Sequence, residues 1–216
     1  MVLTIPQIRS RPVFFGTVKT VPYEMRCLRH NAAFALRQSF IYNVMPKEGV
    51  ITEYTHVTHG FPPLWDAECR TLILGSMPSP KSREQGFYYG HPQNRFWKVL
   101  AAVYGEAEPQ SIVEKSRLAL SHGIALWDAL VECDILGASD ASIKNPVAAD
   151  IPLLLARTKI ERIFTTGAAA YRYYCRYNFP RTGIEAVRLP STSPANCAIS
   201  LEKLVEIYSK SLRESC

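Results

Sequence analysis

Short apolar strands alternate with amphipathic helices from about residue 60 to residue 212. The pattern predicts strands at 70–75, 123–127, 162–166 and 186–189. It predicts helices at 95–104, 111–121, 150–157, 167–177 and 196–212. Because a helix between two strands normally brings them back parallel in one sheet, we expect an α/β protein. The expected fold is a three-layer α/β/α sandwich around a central, mainly parallel sheet of four strands.

The carboxyl ends of these strands are the expected place for a ligand, as in other open parallel sheets. The ends fall at 75–78, 127–128, 165–167 and 189–193. Three of them carry small or hydroxyl residues, which let the backbone approach a ligand. The remaining end carries an acid, Asp128, and an acid at a strand end facing a cleft is costly unless it is used.

The first strand runs into an aromatic segment with little periodicity, GSMPSPKSREQGFYYGHPQNRFW, over 75–97. Tyr88 and Tyr89 could form a stacking wall for a planar base, or could simply cover a loop. His91 is expected to order the loop through hydrogen bonds rather than to act as a catalyst.

A second unusual segment, STSPAN at 191–196, follows the last strand. Its hydroxyl groups precede a helix predicted to begin near Asn196. Such a turn binds phosphate through free amides and the helix dipole, but serine and asparagine are also ordinary N-cap residues. The segment alone leaves both interpretations open.

The basic charge of the chain is concentrated at its beginning. The net charge is +6, from 25 basic and 19 acidic residues. Residues 1–44 hold six of the basic residues and one acid, which leaves 19 basic and 18 acidic residues in the rest. We therefore treat 1–44 as a basic extension and 45–216 as the folded domain. The extension could be a disordered arm, a transit peptide, or sequence upstream of a true start at Met45.

The six cysteines are scattered, without C-x-x-C or a Cys/His cluster at metal-ligand spacing, at positions 27, 69, 133, 175, 197 and 216. We expect reduced thiols and no metal. The absence of the H-x-E and P-C-x-x-C signatures argues against a base deaminase. No apolar run reaches the ~18 residues of a membrane helix. The expectation is a cytoplasmic monomer that does not bind membranes.

The motifs GSMPS, GHPQNRFW and STSPAN, taken together, resemble the uracil-DNA glycosylase superfamily over about 60–212. HP-x-NRFW also occurs in the mismatch-specific uracil/thymine branch. The pair GS-x-PS and TSPAN is more discriminating and is similar to the hypoxanthine (deoxyinosine) DNA glycosylase branch.

The resemblance implies roles for individual residues. Met77 stands where the uracil-specific branches keep the Asp or Asn that positions the attacking water. The hypoxanthine branch has an apolar residue there and uses an asparagine that matches Asn94. Tyr89 matches the aromatic that stacks on the flipped base, and Asp128 falls where the uracil enzymes keep a base-reading asparagine.

The same resemblance places the remaining contacts. Gly75 and Ser76, with Met77, would form the floor under the base. Ser193 matches a serine that grips a backbone phosphate, and Ser191 falls where several branches keep a histidine. The expected phosphate-binding residues are Ser79, Ser191, Ser193 and Asn196.

The implied activity is hydrolysis of the N-glycosidic bond of deoxyinosine in DNA, leaving an abasic site, with uracil as a further possible base. No cofactor is expected, and the expected partner is DNA containing deaminated bases. Two alternatives stay open: a non-catalytic binder of damaged or single-stranded DNA, and a mismatch-type uracil/thymine DNA glycosylase.

Overall fold

The computed structural model describes residues 53–213. Seven strands are present in this part of the chain: β1 (Thr55–Thr58), β2 (Thr71–Gly75), β3 (Ile124–Asp128), β4 (Leu130–Ile135), β5 (Lys144–Ala148), β6 (Arg162–Thr166) and β7 (Ala186–Leu189). The α-helices of the same part are α1 (Pro80–Gln85), α2 (Phe96–Tyr104), α3 (Ile112–Ser121), α4 (Ile151–Leu155), α5 (Gly167–Tyr173), α6 (Phe179–Thr182) and α7 (Leu201–Arg213). The extension at 1–44 lies outside the described residues, so its boundary stays a prediction.

The central sheet has four parallel strands in the order β3-β2-β6-β7. In the register of the sheet, Leu72 of β2 lies opposite Ala125 of β3 and Ile163 of β6. All five residues of β2 are buried, as expected for a strand covered on both faces. The predicted four-stranded parallel sheet and its three-layer arrangement are confirmed.

Helices pack on both faces of this sheet. On one face, Leu100 of α2 and Leu204 and Tyr208 of α7 are fully buried against the sheet. On the other face, Ile151 and Tyr174 are fully buried in a second cluster. Burying each leucine or isoleucine of these clusters contributes about 1.5–3 kcal/mol, so the two clusters hold the strand ends in fixed positions.

A second, antiparallel sheet of three strands, in the order β1-β4-β5, is absent from the sequence prediction. The pairing of β4 with β5 contains register shifts at Glu132, and these interrupt the two-residue alternation by which a strand is recognised. β5 contains Pro146, and its Asn145 has a positive φ of 47°. Proline and asparagine are uncommon within strands, so the sequence of this segment does not predict a strand.

Ala129 is the only residue between β3 of the parallel sheet and β4 of the antiparallel sheet. Its amide donates to the Gly75 carbonyl at 2.9 Å, and its own carbonyl accepts from the Ala149 amide at 3.0 Å. The Leu130 amide donates to the Ser76 carbonyl at 3.2 Å. The two sheets are therefore joined at the end of β2, next to Asp128.

Two predicted helices differ from the structure by four or more residues at one end. The helix predicted over 167–177 is α5 followed by one π-helical turn, Tyr174–Asn178. The helix predicted from Asn196 begins at Leu201, because the amide of Lys203 bonds the Ser200 hydroxyl as in an N-cap. The expected helix N-terminus at Asn196 is thus wrong, and residues 191–196 form a non-helical loop.

Two further expectations can be compared with the described residues. The four cysteines of this part are free thiols: Cys69, Cys133, Cys175 and Cys197. Between residues 53 and 213, no helix combines the length and apolar character that a membrane span requires.

Candidate active site

A cavity of about 350 Å³ opens where the parallel strands end. Its size is in the range of cavities that hold small ligands. Nine of the ten residues predicted for the site line it: Gly75, Ser76, Met77, Ser79, Tyr89, Asn94, Asp128, Ser191 and Ser193. The tenth, Asn196, lies just behind the wall, where its side-chain amide donates to the Ser191 carbonyl at 2.7 Å.

The floor of the cavity brings Gly75 and Asp128 into contact. These residues end β2 and β3 and are paired in the sheet register. A Cβ placed on Gly75 would lie 2.1 Å from Asp128 Oδ1, so this position requires glycine. Oδ1 thus lies directly over the backbone at the bottom of the pocket. In the described part of the chain, no group donates a hydrogen bond to it.

The other oxygen of Asp128 bonds a histidine that sequence reasoning missed. His59 follows β1, and its Nε2 lies 2.8 Å from Asp128 Oδ2. Its Nδ1 lies 2.8 Å from the Phe61 carbonyl oxygen. Both side chains are buried, and the rings of Phe61 and Tyr88 pack against the imidazole.

Asp140 is a second acid of the pocket that sequence reasoning missed. It begins a single 3₁₀ turn, Asp140–Ser142, between β4 and β5. The Ser76 hydroxyl lies 2.9 Å from each of its carboxyl oxygens. Burial raises the pKa of the Asp140 carboxyl, the bond from Ser76 lowers it, and the negative charge of Asp128 raises it further.

Tyr89 forms an aromatic wall with Phe96 behind it. The two rings are nearly parallel, 13° apart, with centroids 3.7 Å from each other. The Tyr89 hydroxyl lies 3.3 Å from Thr166 Oγ1 at the end of β6. Tyr89 has a positive φ of 52°, which costs a non-glycine residue about 1–3 kcal/mol and is concentrated at functional sites. Its neighbour Tyr88 is a core residue, 3% exposed.

Asn94 lies on the same wall, and its side-chain oxygen already accepts two hydrogen bonds. The Phe96 amide donates to Oδ1 at 3.0 Å, and the Thr192 hydroxyl donates to it at 2.9 Å. An amide oxygen has two lone pairs, so both are occupied. An attacking water that used Oδ1 as its acceptor would replace the Thr192 hydroxyl.

Arg95 connects the loop containing Asn94 with the loop at 191–200. Its guanidinium donates to the carbonyl oxygens of Ile199 and Asn196, the latter at 2.7 Å. Its amide donates to the Thr192 carbonyl at 3.1 Å. These three bonds hold the loop at 191–200 against the loop that contains Asn94, a function of Arg95 that the motif did not reveal.

The serines predicted to bind phosphate are held by backbone amides. Ser191 Oγ accepts from the Ser193 amide at 3.2 Å, and Ser193 Oγ accepts from the Ala195 amide at 3.3 Å. Since each oxygen serves as an acceptor, its hydroxyl hydrogen can be donated to a ligand. Ser79 caps α1, where its oxygen accepts from the Ser82 amide at 3.2 Å.

Met77 and His91 both line the pocket and also make structural contacts. Met77 is 8% exposed and packs with Leu130, Cys133 and Ile135 of β4 as well as facing the cavity. His91 Nδ1 accepts from the Gln93 amide at 3.1 Å, which agrees with the expected loop-ordering role. Among residues 53–213, no group of three or more His, Cys, Asp or Glu side chains is arranged to bind a metal.

The sequence profile of the uracil DNA glycosylase superfamily matches residues 62–211, which is more than half of the chain. The chain belongs to the uracil DNA glycosylase superfamily. As a member, it is a DNA glycosylase, as the motifs led us to expect, and DNA is its expected substrate. The matched range contains Asp128, Asp140 and Arg95 but begins after His59.

Two curated relatives carry the name hypoxanthine DNA glycosylase. The one from Methanosarcina barkeri is 43% identical over 40% of this chain and 55% of its own length, so the chain matches only about half of that relative. The one from Methanosarcina acetivorans is 33% identical over 65% of this chain and 89% of its own length. A solution NMR structure from Methanosarcina acetivorans, provisionally named a uracil DNA glycosylase, matches with a TM-score of 0.64. That match has 29% identity and covers 74% of this chain and 98% of the other.

Proposed function

We propose that this glycosylase removes hypoxanthine from deoxyinosine in DNA. The observation that supports the proposal most is Asp128 Oδ1, an acceptor without a partner among the described residues, at the floor of a pocket with an aromatic wall. Hypoxanthine carries a hydrogen on N1, which such an oxygen accepts. Adenine, the base from which hypoxanthine forms, has no hydrogen on N1. Its N1 and Asp128 Oδ1 are both hydrogen-bond acceptors, so they repel each other. The names of the two curated relatives agree with this substrate.

A base in DNA can enter this pocket only if its nucleotide is turned out of the helix. Stacking on Tyr89 supplies about 1–3 kcal/mol towards that cost, whichever base is turned out. The hydroxyl hydrogens of Ser191 and Ser193 are available for the flanking phosphates. Stacking and phosphate contacts thus hold any nucleotide, while Asp128 selects the base.

The proposed reaction replaces the bond between C1′ and the base nitrogen by a bond from C1′ to the oxygen of water. The base leaves with the bonding electrons and takes up a proton, and the water loses one. We assign the positioning of the water to Asn94, whose Oδ1 can accept a hydrogen from it once Thr192 has turned away. An amide is a weak base, so its contribution is orientation, for which an effect of about 100-fold or more is typical.

The product is expected to be an abasic site without a covalent intermediate. In the described part of the chain no lysine lines the pocket, so no amine is placed to attack C1′. Treatment with borohydride should therefore trap no enzyme–DNA adduct. A trapped adduct would contradict the hydrolytic route.

The proposal is tested by single-turnover cleavage of oligonucleotides that carry deoxyinosine, deoxyxanthosine, deoxyuridine or deoxyadenosine. We expect deoxyinosine to react fastest and Asn94→Ala to slow it by about 100-fold or more. Asp128→Ala, which removes the acceptor oxygen, should lose discrimination against deoxyadenosine. Release of no base by the wild-type chain would favour the alternative of a non-catalytic binder of damaged DNA, which a binding assay with the same oligonucleotides detects.

Uracil is the second candidate substrate, because its N3–H offers the same donor to Asp128 Oδ1. A uracil is smaller than a purine and fills less of the pocket. We therefore expect deoxyuridine to be cleaved more slowly than deoxyinosine. The reverse order would assign the chain to uracil repair.

A further inference from the structure

A buried histidine and aspartate share a single proton beside the pocket floor. His59 and Asp128 are each 5% exposed. A carbonyl oxygen can only accept, so the 2.8 Å contact with the Phe61 carbonyl requires a hydrogen on His59 Nδ1. The 2.8 Å contact between Nε2 and Asp128 Oδ2 requires one further proton between those atoms.

That proton can belong to either partner without changing the pocket. In one arrangement the imidazole is cationic and Asp128 is a carboxylate. In the other, the imidazole is neutral and Asp128 carries the proton on Oδ2. In both, Oδ1 bears no hydrogen and remains an acceptor above Gly75.

We infer that His59 is a specificity-determining residue that acts through Asp128: it keeps the proton on the Oδ2 side, so that Oδ1 always accepts. Bases with a ring N–H are thereby admitted, and adenine is rejected, in either protonation state of the pair. This inference rests on the proposed removal of hypoxanthine. It assigns a function to a residue that lies outside the range matched by the family profile.

The surroundings of the pair offer no competing donor to Oδ1 within residues 53–213. The pKa values of the Tyr88 and Tyr89 hydroxyls are raised, first by burial and then by the charge of Asp128, so both are neutral near pH 7. The hydroxyl of Tyr88 donates to the Pro62 carbonyl. The other titratable or charged groups around the pocket and on the adjoining strands are His56, Arg83, His91, Glu132, Cys133, Asp134, Asp140, Lys144 and Arg172.

Replacing His59 should allow a proton of Asp128 to move to Oδ1, the oxygen that faces the pocket. In His59→Leu the buried carboxyl has lost its partner, and a buried group without a partner favours its neutral form. A neutral carboxyl can carry its proton on Oδ1, where it donates to adenine N1 and repels hypoxanthine N1–H. In His59→Gln a neutral amide can still donate to Oδ2, so this variant is the matched control.

The test is single-turnover release of hypoxanthine and of adenine by the full chain between pH 5.5 and 8.5. For wild type and His59→Gln we expect the ratio of the two rates to stay high and nearly constant above pH 6. For His59→Leu we expect it to fall by at least about tenfold at the acid end and to recover as the pH rises. A His59→Leu protein that is folded, as judged by its Tm, and keeps the wild-type ratio at every pH would overturn the inference.

A measurement on the free protein separates this inference from the proposed function. In ¹⁵N NMR spectra of the imidazole, His59 Nδ1 should carry a hydrogen across the same pH range, and Asp128→Asn should change the Nε2 signal. If wild type releases no base at all, the proposed function fails while these spectra still locate the proton. A His59 Nδ1 without a hydrogen would overturn the inference, whether or not the protein releases any base.

Discussion

The two sheets contribute to the pocket in different ways. The central strand β2 of the parallel sheet is fully buried, and the ends of this sheet's strands place Gly75, Asp128 and Thr166 with little freedom. The antiparallel sheet is less buried, with one buried residue in β1 and none in β5, and its connections supply His59 and Asp140. The parallel-sheet side therefore fixes the shape of the pocket, whereas the antiparallel-sheet side supplies a histidine and a carboxyl that hydrogen-bond residues of its floor.

This difference predicts two kinds of variant. Changes on the parallel-sheet side should lower the rate at every pH. Changes on the antiparallel-sheet side should alter the pH dependence more than the rate at neutral pH.

The largest effect is expected for Gly75→Ala. The new Cβ would lie 2.1 Å from Asp128 Oδ1, so the carboxyl must rotate away from the position in which it meets the base. We expect excision of hypoxanthine to fall by about 100-fold or more. In an Asp128→Ala background the same substitution should cost no further activity. A Gly75→Ala enzyme with wild-type rates would contradict the assigned geometry of the floor.

Tyr89→Leu should lower kcat/KM by about 5- to 150-fold, the equivalent of about 1–3 kcal/mol of stacking. Tyr89→Phe retains the ring and loses only the contact with Thr166, so it should stay close to wild type. Steady-state kinetics of both variants measure the difference. Equal activity of the leucine and phenylalanine variants would show that the ring does not hold the base.

Arg95→Met should reduce kcat by about tenfold. It removes two bonds to the loop at 191–200 and so loosens Ser191 and Ser193, which are proposed to hold the flanking phosphates. Arg117→Met, on the exposed surface of α3, is the control and should leave kcat unchanged. A lower Tm with an unchanged kcat in Arg95→Met would show that Arg95 has only a structural role.

The smallest effect is expected at Asp140, and it is a pH effect. Burial raises the pKa of this carboxyl above its ordinary 3.8, so the folded state binds a proton that the unfolded state releases. The contribution of Asp140 to the free energy of unfolding therefore falls as the pH rises from 3.8 to the pKa of this carboxyl in the folded state. The Tm of Asp140→Asn relative to wild type should increase over that interval.

Glu114 provides the control of opposite sign. Amide bonds from Gln110 and Ser111 lower the pKa of its carboxyl. Its contribution to stability is present above its ordinary 4.5 and is lost as the pH falls towards the folded-state pKa. The Tm deficit of Glu114→Gln should therefore shrink on acidification. The same trend in both variants would contradict the assignment at Asp140.

The parallel-sheet side could be predicted from the sequence, and the antiparallel-sheet side could not. Four apolar runs separated by helices specify the parallel sheet and place Asp128 at its ligand-binding edge. β4 and β5 carry register shifts and a proline, so neither has a regular alternation. His59 belongs to none of the motifs that were recognised, and it meets Asp128 across 69 positions of the chain.

Two details of the loops around the pocket could not be predicted from the sequence either. The motifs identified Asn94 as a candidate catalyst, but its oxygen is held by Thr192, 98 positions away. The helix predicted from Asn196 begins at Leu201, since Ser193 and Asn196 bond the loop backbone instead of continuing a helix. Side-chain bonds to distant backbone atoms leave no periodic signal in a sequence.

The stack of Tyr89 on Phe96 has a consequence for the thermodynamics of base capture. Because Phe96 already fixes the ring, most of the side-chain entropy of Tyr89 is lost when the protein folds rather than when DNA arrives. The strained backbone of Tyr89 is likewise formed in advance. A nucleotide that swings out of the double helix therefore meets a surface that is already in place, and the free energy of capture is left to offset the loss of base pairing.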